Sequence, residues 1–197
     1  VPWPSSQRGR VIHARKGGGA WDEETSLQVS PGSSPRSGRV VVAPGFLAGP
    51  FRADRSLRRN LGERRSVGSI AYELVMVARG VSQYMVTTAP HLWDVAGGVA
   101  LVTEAGGIMM RGARDGGPLG LFPSTRWEES ESLVPNWRSG QTSLGDLRRW
   151  RSPLTVGSPR VARFVTANMR RRANLRRRLA GRIRRLRPRR RKSDTQG

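Results

Sequence analysis

Asp94 is the residue of this sequence best placed to do chemistry. It stands in Trp93-Asp94-Val95-Ala96-Gly97-Gly98, where the pattern predicts the start of a helix running to Ala105 and stopping at Gly106-Gly107. The free N–H groups and positive dipole end of a helix keep a carboxylate there ionised. Such a carboxylate with one oxygen turned outward suits a hard cation such as Mg²⁺, which takes oxygen ligands. The same aspartate can equally act as an ordinary helix cap, and spacing alone favours the cap. Gly97 and Gly98 each cost a helix about 1 kcal/mol against Ala, so their presence points to another backbone packed closely on that turn.

Other chemistries find little to work with. The chain has no cysteine, which excludes disulfides, thiol catalysis, iron–sulfur clusters and Cys-ligated zinc. His13 and His91 are too far apart in sequence to read as a metal-ligand pair, and His13, alone in a strand, reads as structural. Neither a Gly-x-Ser-x-Gly elbow, a P-loop nor a dinucleotide fingerprint occurs. Gly17-Gly18-Gly19 lacks a following helix and reads as a turn.

The elements that must position Asp94 alternate along the chain. Strands are expected at 10–15, 27–29, 39–43, 84–87, 108–110 and 155–156. A polar, exposed helix is expected at 54–63, and an amphipathic one at 69–79, with Ile70, Leu74, Val77 and Ala78 on one face. Pro31 to Gly38 reads as a linker between two units. Ser158-Pro159 opens a last helix whose face is Val161, Phe164, Val165 and Asn168-Met169, and Leu175, Leu179, Ile183 and Leu186 carry an apolar stripe on to Pro188. Residues 112–153, rich in Gly, Pro, Ser and Trp, read as a loose surface insertion. The alternation implies a layered α/β domain.

Charge is the second prominent feature. The 197 residues carry 36 Lys+Arg against 14 Asp+Glu, a formal charge of +22. Sixteen of the basic residues fall between Arg160 and Gly197, with Asp194 the single acid there, and only Lys16 and Lys192 are lysine. A GC-rich coding sequence would give such an arginine bias without any function. The functional reading is that Arg170–Lys192 binds the phosphates of nucleic acid or an anionic membrane. No aromatic residue follows Phe164, so stacking on single-stranded bases is not indicated. No apolar run approaches the ~18 residues of a membrane span. The first residues lack the apolar stretch of a signal peptide, which leads to the expectation of a cytoplasmic protein. The chain begins with Val, which fits a fragment that has lost its natural start.

The Asp94 stretch, continued through Leu101-Val102-Thr103-Glu104-Ala105-Gly106-Gly107, strongly resembles the second signature of the inositol monophosphatase family, the Mg²⁺-dependent, lithium-sensitive sugar-phosphate phosphatases. Its flanks agree. Arg65-Ser66-Val67-Gly68-Ser69-Ile70-Ala71 and Val77-Ala78-Arg79-Gly80 resemble the family's Arg-x-x-Gly-Ser-x-Ala helix and its Val-Ala-x-Gly end. Arg15 to Trp21 and Leu27 to Ser30 resemble its Gly-Gly-Gly-Ala hairpin, and Thr155 to Met169 its final strand and helix.

The resemblance implies that Asp94 is a metal ligand for Mg²⁺ and that Gly68, Ser69, Ile70 and Ala71 contact the substrate. It also marks departures. Thr87 stands where the family has a glutamate that contacts an inositol hydroxyl, and Ser82-Gln83 where it has an aspartate. The family's Asp-Pro-x-Asp-Gly-Thr signature, placed upstream of the hairpin, is absent.

The implied fold is therefore the layered C-terminal α/β domain of that family, with a truncated N-terminal α+β domain and a basic helical tail. Residues 1–30 are the hairpin remnant, 31–115 and 152–175 the C-terminal domain, 116–151 an insertion, and 176–197 the Arg-rich tail. The implied function is Mg²⁺-dependent hydrolysis of an inositol phosphate or a related sugar or nucleotide phosphate, incomplete in this chain alone, with a homodimer as a further implication. The alternative is a non-catalytic module that binds nucleic acid or membrane through its Arg-rich end.

Overall fold

The computed structural model describes residues 9–43, 51–115 and 124–171. The chain opens with an antiparallel meander of β1 (Ile12–Arg15), β2 (Gly19–Asp22) and β3 (Thr25–Ser26). Gly17 and Gly19, at φ 70° and 81°, supply the left-handed backbone of its tight turn. There follow β4 (Val40–Val42), β5 (Phe51–Ala53), α1 (Arg55–Arg59), β6 (Glu63–Arg65), α2 (Ile70–Ala78), β7 (Tyr84–Thr87) and α3 (Leu92–Glu104). The described part ends with β8 (Ile108–Asp115), β9 (Ser124–Glu129), α4 (Leu144–Arg149), β10 (Leu154–Gly157), α5 (Pro159–Ala167) and β11 (Met169–Arg171). Among the described residues no helix is long and apolar enough to cross a membrane.

Six strands form the central sheet, in the order β6-β4-β7-β10-β8-β9. β6, β4 and β7 run parallel, β10 runs against both β7 and β8, and β9 runs against β8. β7 and β8 therefore point the same way. α2 links parallel β6 to β7, and α3 links β7 to β8. A crossover between like-directed strands must run back along the sheet. Both helices thus begin at the same edge, where β6 and β7 end.

Side-chain alternation divides the core in two. Val42, Met85, Met109, Leu154 and Val156 face α2 and α3, which supply Leu74, Val77, Val95, Val99 and Val102. Val41, Tyr84 and Val86 face the opposite way, toward Val161 and Val165 of α5 and toward Phe51, Leu57 and Met169. Because both faces are covered, β7 and β10 are buried at every position. The Tyr84 phenol, its pKa pushed up by burial, donates to the Leu61 carbonyl at 2.8 Å. The meander packs outside the helix layer through Ala20 and Leu27. Glu104 at the end of α3 accepts the N–H groups of Gly17 and Gly19, each at 3.1 Å.

Several expectations shift at the element level. The helix expected at 54–63 covers only 55–59, and its Leu57 is wholly buried because it plugs the second core. The strand expected at 27–29 lies instead at Thr25–Ser26. β5, β6 and β11 have charged or very short sequences that carry no alternation signal. Within the stretch read as a loose insertion, residues 124–129 form the outer strand β9 and 144–149 form α4. β9 is held from behind by Arg163 of α5, whose guanidinium bonds both oxygens of Glu129 at 2.9 and 3.1 Å. The last helix does not run on into the basic segment. The Asn168 side chain donates to the Phe164 carbonyl at 2.8 Å and ends α5, and Met169 to Arg171 turn out to pair with β5. Of the Arg170–Lys192 segment, everything after Arg171 lies outside the described residues.

Candidate functional site

Two helix starts build the site. At the first, Gly68 has φ 86°, a conformation that suits glycine, and is exposed. Ser69 caps α2, its hydroxyl accepting the Tyr72 N–H at 3.4 Å. The N–H groups of Ile70 and Ala71, first in the helix, meet no acceptor among the described residues, as the geometry of a helix start dictates. The Ile70 side chain packs against the core, while Ala71 is exposed.

Beneath this loop lies Glu73, 1% exposed. One of its oxygens, Oε1, accepts the Val67 N–H at 2.7 Å, the Ser66 hydroxyl at 3.1 Å and the Gly68 N–H at 3.2 Å. Sequence reasoning passed over Glu73 because an acid in a first helical turn is ordinary. Only its burial shows that it fixes the loop before the helix.

At the second start the cap is His91, and Asp94 sits one turn inside. The expectation that Asp94 itself caps α3 is corrected here. Its Oδ2 reaches back to accept the His91 N–H at 3.1 Å, a job that an acid three residues past the cap performs well. Asp94 is half-buried, and its Oδ1 accepts from no described residue. The His91 ring stacks on Trp93 with centroids 4.1 Å apart, and Trp93 is 60% exposed. Arg151 Nη2 lies 2.6 Å from His91 Nε2.

α2 and α3 meet where Gly98 receives Leu74. A Cβ on Gly98 would fall 2.5 Å from the Leu74 Cβ and Cδ1, whereas one on Gly97 would meet nothing within 4 Å. The close packing expected at this glycine pair is therefore a side chain against Gly98 alone. Leu74 lies five residues past Ser69 and Gly98 four past Asp94. With both helices running the same way, this contact brings Gly68–Ser69 and Asp94 to adjoining helix starts. Thr87, 8% exposed, closes β7 opposite Leu154.

An arrangement of this kind can hold an anion between helix starts. It does not by itself make a metal centre. Mg²⁺ wants near-octahedral oxygen ligands, usually one or two carboxylates with water and phosphate oxygens. Among the described residues no three acidic or histidine side chains gather for one, and Asp94 has one oxygen, Oδ1, that accepts from no described residue.

Comparison with known proteins gives the frame. The model of the inositol monophosphatase family matches residues 4–148. Inositol monophosphatase 1 of Sus scrofa is 32% identical over 125 residues, covering 60% of this chain and 44% of the relative. That of Homo sapiens is 34% identical over 126 residues, with the same shares. The matched part spans less than half the length of these curated relatives. The extragenic suppressor protein suhB from Bartonella henselae superposes with a TM-score of 0.50 at 16% identity, over 81% of this chain and 53% of that one. Staphylococcal IMPase-II does so at 0.52 and 19% identity, over 81% and 53%. At these identities the two structures speak for the fold alone.

Proposed function

Because the chain belongs to the inositol monophosphatase family, we propose that it forms part of a phosphatase that hydrolyses a phosphate monoester. The observation that carries this reading is the shared sheet edge, at which α2 and α3 begin side by side with Gly68–Ser69 on one and Asp94 on the other. On this reading Asp94, through the oxygen that no described residue bonds, is the contribution of the described residues to a Mg²⁺ site. Gly68 and Ser69 line the substrate, and the open N–H groups of Ile70 and Ala71 turn toward its anionic side.

The remaining carboxylates belong to the family signature that these 197 residues lack. On the same reading residues 1–30 belong to a first unit, and 31–115 with 152–175 to a second. Two solved neighbours, SaIMPase-II bound to inositol monophosphate and the same protein bound to 2′AMP, support a substrate class of sugar or nucleotide phosphates. Thr87 in place of a glutamate weighs against tuning for an inositol hydroxyl. A homodimer, the family-implied state, is checked by sedimentation.

The decisive measurement is phosphate release by the complete gene product, with Mg²⁺, from inositol monophosphate and from a nucleoside 2′-monophosphate. Asp94→Asn should lower the rate at least about tenfold, a loss expected even for a residue that only supports a metal ligand. Equal rates for the two proteins would remove Asp94 from the mechanism.

A further inference from the structure

The short strands β5 and β11 pair into a ribbon over the core that α5 also covers, and α1 follows β5 directly. Phe51 and Ala53 of β5, Leu57 of α1 and Met169 of β11 all enter that core. Strand alternation then turns Arg52 and Arg170 outward, and the register sets these two directly opposite each other. Arg55 and Arg59 lie two residues either side of buried Leu57, which puts them on the outer face of α1. All four arginines are exposed.

None of the four forms an ion pair with a described residue. The one acid between Phe51 and Arg59 is Asp54, which is spent on capping α1, its Oδ1 accepting the Leu57 N–H at 3.0 Å. Elsewhere Arg149 meets Asp146 at 2.7 Å and Arg163 meets Glu129 at 2.9 Å. Like charges directly opposite on paired strands destabilise the pair unless something neutralises them. A coding bias toward arginine sets how many there are; it does not set two of them against each other in register. The sequence that leaves β11 adds twelve Lys+Arg and no acid between Arg172 and Lys192.

The chemistry of this face selects among polyanions. Guanidinium groups grip phosphate oxygens well. Every apolar side chain of β5, α1 and β11 is turned inward. The face therefore offers nothing to enter a bilayer and no ring on which an unpaired base can stack. The phosphates on the outside of a double helix need neither, since they are held by positive charge alone.

We propose that the β5–β11 ribbon and the outer face of α1 form a docking surface for double-stranded nucleic acid, held by its phosphate backbone. The inference does not depend on the phosphatase reading.

The test follows the fluorescence anisotropy of a short labelled DNA duplex titrated with the full chain at several salt concentrations. Two variants each lose four charges. One combines Arg52→Gln, Arg55→Gln, Arg59→Gln and Arg170→Gln. The other combines Arg15→Gln, Arg36→Gln, Arg138→Gln and Arg148→Gln, all exposed and elsewhere on the chain. The first should weaken binding at least about tenfold and lower the slope of log affinity against log salt by about three, because each phosphate contact contributes about 0.9. The second should stay close to wild type. Equal losses in both would reduce the effect to net charge and overturn the proposal, as would a wild type that leaves the duplex free. A first variant that keeps the duplex but no longer binds phosphatidylserine vesicles would make the face a membrane contact and overturn it too. Circular dichroism checks folding, and if the fourfold variant does not fold, Arg52→Gln and Arg170→Gln singly carry the comparison against Arg15→Gln and Arg138→Gln.

Discussion

A single buried carboxylate decides the shape of the loop before α2. Glu73 gathers three donors from Ser66, Val67 and Gly68. Glu73→Ala removes the one oxygen that all three donors share and leaves the Val67 and Gly68 N–H groups without it, a loss that costs about 1–3 kcal/mol. Urea unfolding should show that loss, and the Val67 and Gly68 amides should exchange faster while those of β7 and β10 stay slow. If the two loop amides keep their protection, Glu73 does not hold the loop. Residue identity told only part of this in advance. Gly68 and Ser69 stand out only through the family resemblance, whereas Asp94 stands out also as an acid at a helix start. Whether a first-turn acid stays half-buried, as at Asp94, or is wholly buried, as at Glu73, depends on the neighbouring layer, and local sequence does not encode that layer.

The helices place these residues through one asymmetric contact. Gly98 lies under Leu74, and Gly97 faces open space. Gly98→Ala should destabilise the chain by about 1–3 kcal/mol through overpacking, outweighing the helix propensity gained. Gly97→Ala should stabilise it by up to about 1 kcal/mol. Opposite shifts in thermal midpoint would confirm the contact, whereas like shifts would place the α2–α3 seam elsewhere. α2, α3 and α5 were legible from their periodicity and caps, and β7 from its apolar run. β6 and β9 were not, because outer strands with one open edge are rich in charge and lose the apolar signature. The end of α5 was also hidden, since the apolar stripe continues past Asn168 while the backbone turns.

At the scale of the molecule, the meander is fastened to the helix layer by a few polar contacts. Glu104 holds the Gly17 and Gly19 amides, and buried Asp22 pairs with Arg10 at 3.1 Å and with Arg79 at the end of α2 at 3.5 Å. Glu104→Ala should therefore speed amide exchange across β1 and β2 and leave the central sheet protected. Uniform loosening of both would mean that the layers unfold as one unit. The alternation of strands and helices revealed the layers from the sequence. The order of strands within the sheet it did not reveal, because β10 enters between β7 and β8 from far along the chain.

The two borders of the central sheet have a consequence for the molecule's company. β6 reads Glu-Arg-Arg and β9 carries Arg126, Glu128 and Glu129. An intruding strand from another molecule would have to line up against those ionised side chains, and charged borders of this kind deter such pairing. Among the described residues, both borders of the sheet thus resist the addition of a further strand.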